Sequence, residues 1–395
     1  MSWPMVTLES ISEFIRNGAS IKQEKVVSGL PITRIETIAE RKVNLRKCGY
    51  ANIKDDEYKD YRLLAGDILI SHINSEKHLG KCAIFEDDRN DIIHGMNLLC
   101  LRPIKDKILP KYLFHFLSSP VFLNLISSIT KKSVNQASFT VTAFKSLEIP
   151  LPSLSEQKRI AAILDKADGI RQKRDQAIKL ADVFLRATFL EMFGDPVENP
   201  KGWNVKPLAD QIVHANNGIS RRRKGDTNEG DIVLRLQDVH YSGIAFDKEL
   251  NRIKLVDKEK QIARVEYDDL LFIRVNGNPN YVGRTAVFKS YIEPVYHNDH
   301  LIRIKLDNEY QSDFLCYLIN SPFSRKLIAQ QIKTSAGQHT ISQDGILKLM
   351  FYRPPIELQE KFINIKNKIE SIFYRKDKHE DLFASIFNKL FYSIK

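Results

Sequence analysis

Cysteine is scarce in this chain. The 395 residues contain four, at Cys48, Cys82, Cys100 and Cys316, with no C-x-x-C pair and no cluster of metal ligands around them. That scarcity and spacing argue against a disulfide framework and a cysteine-held zinc, and they fit a reducing compartment. Long apolar runs are also missing: nothing approaches the ~18 uninterrupted apolar residues of a membrane span. The opening MSWPMVTLES lacks the charged-then-apolar layout of a secretory signal. The expectation is a soluble, cytoplasmic protein with no membrane partner. No G-x-x-x-x-G-K-S/T phosphate loop occurs, because Gly80-Lys81 has neither the upstream glycine nor the following hydroxyl residue. His94 and His297 stand alone, without H-E-x-x-H or other ligand spacing, so no metal is expected. The absences disfavour catalysis, and no cofactor is expected.

What is present is positive charge and repetition. A formal net charge of +11 and a pI near 9.2 favour a polyanionic partner. Apolar residues make up 43% of the chain, enough for folded cores and against disorder. The length accommodates two domains. Asp67-Ile-Leu-Ile70 recurs as Asp269-Leu-Leu-Phe272, an offset of 202 residues. The same shift pairs Leu117-Ser-Ser-Pro120 with Ile319-Asn-Ser-Pro322, Ser133-Val-Asn-Gln136 with Ser335-Ala-Gly-Gln338, and Gln157 with Gln359. With one residue of slippage, Gly80-Lys-Cys-Ala-Ile-Phe85 matches Gly283-Arg-Thr-Ala-Val-Phe288. Trp3 and Trp203 each stand five residues before a leucine. The period is too long for a solenoid, whose units run to ~20–50 residues, so each copy is a domain-sized module. Duplication for stability alone is the bland explanation; a two-copy layout also suits a roughly two-fold partner such as duplex DNA.

Each copy changes texture partway. Asp67-Ile-Leu-Ile-Ser71, Cys82-Ala-Ile-Phe85 and Asn97-Leu-Leu-Cys-Leu-Arg102 have the length and aliphatic content of strands. Residues 111–118 and 121–127 read as short helices split by Pro120. A long helix follows. Pro152 marks its start, and Ser153 with Glu156 fits a capping box. Apolar residues then recur at helical spacing through Ile160, Leu164, Ile170, Ala177, Ala181, Phe184 and Leu185, and Gly194 closes the run. From Ser155 to Phe193 the rod is ~58 Å long at ~1.5 Å per residue, with Gly169 its weakest point. The second copy repeats the pattern after Pro354-Pro355, with Phe362, Ile369, Phe383, Phe387 and Phe391 among its stripe. Neither rod buries its stripe alone, so the two are expected to pack antiparallel. The domain expectation is 1–153 and 195–354 as similar mixed modules, with 154–194 and 355–395 as long helices. The fold class is α+β, with the two modules in a pseudo-two-fold arrangement.

Ile149-Pro-Leu-Pro-Ser-Leu-Ser-Glu-Gln-Lys-Arg-Ile160, running into a long charged helix, closely resembles the first conserved region of the specificity subunits of type I restriction-modification systems. Its echo, Tyr352-Arg-Pro-Pro-Ile-Glu-Leu-Gln-Glu-Lys-Phe362, resembles the second, departing where Leu358 stands in place of Glu156. The resemblance covers nearly the whole chain. It implies target-recognition modules that each read one half of a bipartite double-stranded DNA target, in a bacterial or archaeal cytoplasm. It further implies two helices that fix the gap and dock two methyltransferase subunits, with motor-nuclease subunits completing the complex. The specificity subunit itself then has no active site, and S-adenosylmethionine, ATP and magnesium belong to its partners.

Two rival readings stay open: a scaffold that does not bind DNA, and a methyltransferase or nuclease with its own catalytic residues. The sharpest enzymatic signal is Asn278-Pro279-Asn280-Tyr281, one residue from the N-P-P-Y/F signature of amino-methyltransferases, but no glycine-rich S-adenosylmethionine loop accompanies it. Base readout favours Arg or Lys at guanine and Asn or Gln at adenine, so polar loops flanking the repeated strands are the DNA candidates. In the first copy these are His72, Asn74, Lys77, His78, Lys81, Lys131, Lys132 and Asn135. In the second they are Arg274, Asn276, Asn278, Asn280, Tyr281, Arg284, Lys333 and His339. Arg221, Arg222, Arg223 and Lys224, the densest basic run, read as a phosphate clamp or a solvated loop.

Overall fold

The computed structural model describes residues 3–24, 29–39, 41–54, 56–133, 136–220, 229–246, 249–373, 385–387 and 389–391. The chain divides into two compact units, Met1–Asp175 with Lys376–Lys395, and Gln176–Arg375. The division falls inside one α-helix, Leu154–Phe193, so each unit owns part of it. Each unit is α+β. Among the described residues no single helix is long and apolar enough to cross a membrane.

The first unit is built on a four-stranded antiparallel sheet in the order Ser12–Asn17, Leu98–Pro103, Ile68–Ser71, Cys82–Ile84. Both faces are covered, which is why its strands read as apolar runs rather than alternations. Ile68, Ile70, Leu99 and Leu101 face the helices through Tyr112, Leu113 and Phe116. Leu69, Ala83, Leu98 and Cys100 face the opposite way, onto Ile38, Leu63 and Ile92. The helices Pro110–Leu117 and Pro120–Ile129 each begin on a proline, which needs no N–H partner in a first turn.

The second unit repeats this sheet as Ile212–Asn217, Leu301–Leu306, Leu270–Ile273, Thr285–Val287. The register breaks at equivalent places, between Ser12 and Phe14 and between Ile212 and His214. Gly18 and Gly218 pass so close to the backbone at His94–Gly95 and His297–Asn298 that a Cβ would lie within 2.3 and 2.0 Å of it. His94 donates from Nε2 to the carbonyl of Leu98, and His297 from Nδ1 to that of Ala263, both at 2.8 Å.

Helix entry is fastened identically in both units. Fully buried Gln157 accepts from Leu109 N at 2.8 Å and donates to the carbonyls of Lys107 and Pro152 at 3.1 and 2.9 Å. Fully buried Gln359 accepts from Gln311 N at 3.0 Å and donates to Glu309 and Pro354 at 3.3 and 2.8 Å. Of the expected capping box only half forms. Ser153 Oγ accepts from Glu156 N at 3.4 Å, but the Glu156 carboxylate turns to Arg159 at 2.6 Å. A charged partner on the next turn outcompetes a neutral backbone N–H.

The start of the long helix, through Ile160, Ala161 and Leu164, shares a buried cluster with Phe387. Its end does so with Phe362, whose ring lies 5.4 Å from Phe189 and 5.7 Å from Phe193. Gly169 does not interrupt the helix, and Gly194 ends it at φ +78°. Two residues expected on the buried stripe are corrected: Ile170 is 49% exposed and Phe184 56%. Ala181, Leu185, Phe189 and Phe193 take the seam at intervals of four, and Phe184 lies one position, about 100°, off it. Leu180, Val183, Phe184 and Leu190 therefore form a second, outward apolar stripe.

Beside helix entry the charges are inverted between the copies. Lys111 pairs with Glu86 at 3.2 Å, and its counterpart Asp313 pairs with Lys289, the counterpart of Glu86, at 2.7 Å. Lys105 and Lys158, which line a groove of about 550 Å³ with Leu109 and Ala161, correspond to Asp307 and Glu360.

Replacing Gln157 or Gln359 by Met strands three backbone groups. Each variant is expected to lose roughly 3 kcal/mol, read as a lower urea midpoint at unchanged slope. Burial depresses His94 and His297 to about 4. Their stabilisation is complete above the ordinary histidine value and is lost as pH falls toward 4. Stability should therefore decline from pH 6.5 to 4.5, and His94→Gln with His297→Asn, which retain the donors, should flatten that decline.

Candidate nucleic-acid interface

In each unit a small three-stranded sheet gathers loops that are far apart in sequence. In the first, Lys131–Lys132, Ala137–Ser138 and Ile73–Asn74 pair in that order. This brings Asn74, Lys77, His78 and Lys81 to the neighbourhood of Lys131 and Lys132. Lys132 pairs with Glu76 at 2.7 Å, and Lys81 Nζ donates to His78 Nδ1 at 2.7 Å. Asn74 holds Ser71 Oγ at 3.2 Å and Ser75 N at 2.8 Å. Lys77, His78, Lys81, Lys131 and Lys132 are exposed. His72 is a correction. It is 5% exposed, edge-on to Phe139, and burial lowers its pKa, so it is a core residue and not a surface contact. Asn135 and the basic run Arg221, Arg222, Arg223 and Lys224 lie outside the described residues.

The second unit has the same arrangement from Ile332–Ser335, Gln338–Ile341 and Val275–Asn276. Its hairpin closes on Ala336 and Gly337, at φ +47° and +76°, the left-handed pair of a tight two-residue turn. Asn276 faces His339 in register, and His339 Nδ1 lies 2.9 Å from Thr334 Oγ1. Lys333 is exposed on the outer strand. The loop carrying Asn278-Pro279-Asn280-Tyr281 is shaped by its own side chains. Asn276 Oδ1 accepts from Asn278 N at 2.9 Å, and Asn278 Oδ1 from Asn280 N at 3.0 Å. Arg274 is partly spent on structure, donating to the carbonyl of Asp299 at 3.1 Å.

Two residues that sequence reasoning missed complete this loop. Arg325 donates to the carbonyls of Val282 and Pro279, both at 3.0 Å, and so braces it from a helix. Tyr241, at the tip of the hairpin Val239–His240/Gly243–Ile244, lies against Arg284, whose guanidinium carbon is 4.1 Å from its ring centroid and 4.3 Å from that of Tyr281. No spacing rule links positions 241 and 284; only the fold does.

The chemistry on offer is recognition. Exposed lysine, asparagine and tyrosine side chains and half-buried arginines stand on ordered turns. Among the described residues no group of three or more His, Cys, Asp or Glu is placed to hold a metal. Burial pushes the thiols of Cys48 and Cys82 up to about 11 and that of Cys316 to about 12, far from the thiolate state a nucleophile needs.

The family model for the type I restriction modification DNA specificity domain matches residues 2–180. The StySPI type I restriction enzyme specificity subunit of Salmonella potsdam is 30% identical over 395 residues, covering 95% of this chain and 83% of that protein. A putative type I restriction enzyme specificity subunit, MjaX of Methanocaldococcus jannaschii, is 41% identical over 222 residues, a match spanning 53% of this chain and about half (52%) of that relative. The S subunit of the type I restriction-modification system of M. genitalium has the same fold at 14% identity, with a TM-score of 0.60 over 99% of this chain and 94% of that one. With 95% of its sequence matched at 30% identity, the chain belongs to the family of type I restriction enzyme specificity subunits.

Proposed function

We propose that this chain is the DNA-reading subunit of a type I restriction-modification complex, working in the cytoplasm and carrying no catalysis or cofactor of its own. Residues 1–153 and 195–354 each read one half of a bipartite duplex target. The segments 154–194 and 355–395 set the gap and dock two methyltransferase subunits, which motor-nuclease subunits join. One observation carries this reading: the same scaffold occurs twice, and its copies differ where polar loops converge on the small sheets. Lys77, His78 and Lys81 in one copy stand against Asn278, Asn280, Tyr281 and Arg284 in the other. Scaffold positions match because both copies must fold alike; loops diverge because two half-sites need not be the same sequence. The outward stripe of Leu180, Val183, Phe184 and Leu190, 37–63% exposed, supports a docking role for the helix, since such a patch favours coverage by another chain.

In a gel shift of the reconstituted complex, log affinity should fall linearly with log salt. Changing Arg221, Arg222 and Arg223 together to Ala should weaken binding about equally on all sequences and make that slope shallower by up to about 0.9 per contact. Loop variants such as Asn276→Ala should instead relax one half of the methylated motif. Binding indifferent to salt, with the motif unchanged by every loop variant, defeats the proposal, as does methyl transfer by the chain alone. Val183→Asp with Phe184→Asp should abolish co-purification with the methyltransferase subunits while leaving the circular dichroism spectrum unchanged.

A further inference from the structure

Arg284, like Arg16 between Phe14 and Tyr61 in the first unit, is held by two aromatic rings, but here both rings are tyrosines at the surface. Its guanidinium lies against two tyrosine rings, Tyr241 at 4.1 Å and Tyr281 at 4.3 Å, and both rings are themselves exposed, at 54% and 41%. Its Nε is buried, yet finds no hydrogen-bond partner among the described residues. Elsewhere in this unit Arg252 is met by Glu293 at 2.7 Å and Arg325 by two carbonyls; Arg303 Nε is also unmet, but on a buried side chain 3.6 Å from the Asp269 carboxylate rather than between exposed rings. A buried donor left unmet is costly in a finished structure and cheap where a ligand supplies the acceptor. Stacking also fixes the guanidinium plane in advance, so less side-chain freedom is lost when a planar acceptor arrives.

We propose that Arg284 reads a guanine in the half-site of the second unit, its fork meeting O6 and N7 from the major groove, with Tyr241 and Tyr281 as positioning residues that hold its plane. This rests on the DNA-reading function above and narrows it to one residue and one base. A guanine edge suits the arrangement better than a phosphate. Phosphate accepts any nearby cation, and a flexible lysine serves as a point charge, whereas two parallel bonds to a base edge require a fixed plane. The neighbours Asn276, Asn278 and Asn280 carry base-edge chemistry too. At the equivalent place in the first unit Lys81 is tethered to His78 at 2.7 Å, a different donor geometry, so the two units are not expected to read the same base there.

The test uses the full chain assembled with its modification subunits and scores the methylated motif and binding to permuted duplexes. The wild-type motif should contain a fixed G·C pair in one half-site. Arg284→Ala should lose roughly five- to 150-fold of discrimination at that pair and leave the other half-site intact. Arg284→Lys should lose most of that discrimination while keeping the salt slope, because charge remains and the fork is gone. Tyr241→Ala should weaken discrimination at the same pair and Tyr241→Phe restore it, which a general folding defect would not do. Two results overturn the proposal while sparing DNA reading: a specific motif with no G·C pair sensitive to Arg284, or an Arg284→Ala effect that is uniform across sequences with a shallower salt slope, the mark of a phosphate contact. Absence of any sequence-specific binding by the wild type would instead remove the reading on which it depends.

Discussion

A glutamine with no exposed surface joins each globular sheet to the helix that leaves it, and the rest of the architecture depends on that join. Gln157 and Gln359 each bridge the segment entering the first short helix and the proline that precedes the long one. A primary amide offers two donors and an acceptor oxygen in one plane, so it satisfies a loop N–H and two carbonyls at once. An apolar residue would fill the space and strand the backbone; a charged one would be buried without a counter-ion. Because the join is rigid, the direction in which each helix leaves is inherited from its sheet, and the loops on the small sheet keep a fixed relation to that helix within the unit.

A second carbonyl shows how the copies conserve a contact while changing the residue that makes it. Tyr112 donates to the carbonyl of Pro150 at 2.7 Å, and Tyr310 to that of Tyr352, the equivalent acceptor. Yet Tyr112 aligns with Phe314, not with Tyr310. The buried oxygen must be met, and two different backbone positions can deliver a phenol to it.

Much of this was legible in the sequence, for identifiable reasons. The duplication showed itself because strands such as Ile68–Ser71 are covered on both faces and must be apolar throughout, which preserves a recognisable string. The long helix was legible through its four-residue stripe and its closing glycine. That the long helix packs against apolar residues of the distal segment within each unit was foreseeable because its stripe cannot be buried alone. What escaped detection depended on contacts distant in sequence. His72 looks like a polar loop residue until Phe139 is seen to cover it. Tyr241 stands 43 residues before Arg284 and is joined to it only by the placement of a hairpin. Phe184 and Ile170 were assigned to the seam because a wide apolar face cannot, from spacing alone, be divided into the part that packs inward and the part left outside.

The inverted charges beside the two helix entries have a consequence for anything that visits both. Where Lys105, Lys111 and Lys158 stand on one unit, Asp307, Asp313 and Glu360 stand on the other. Two identical visitors would thus meet opposite fields at otherwise matching doorways. In dilute electrolyte an acidic visitor is drawn to the first unit and turned away from the second, and the difference fades as the screening length shortens. Ionic strength would then set which of the two doorways an acidic visitor fills first, so that equal halves need not be occupied by equal steps.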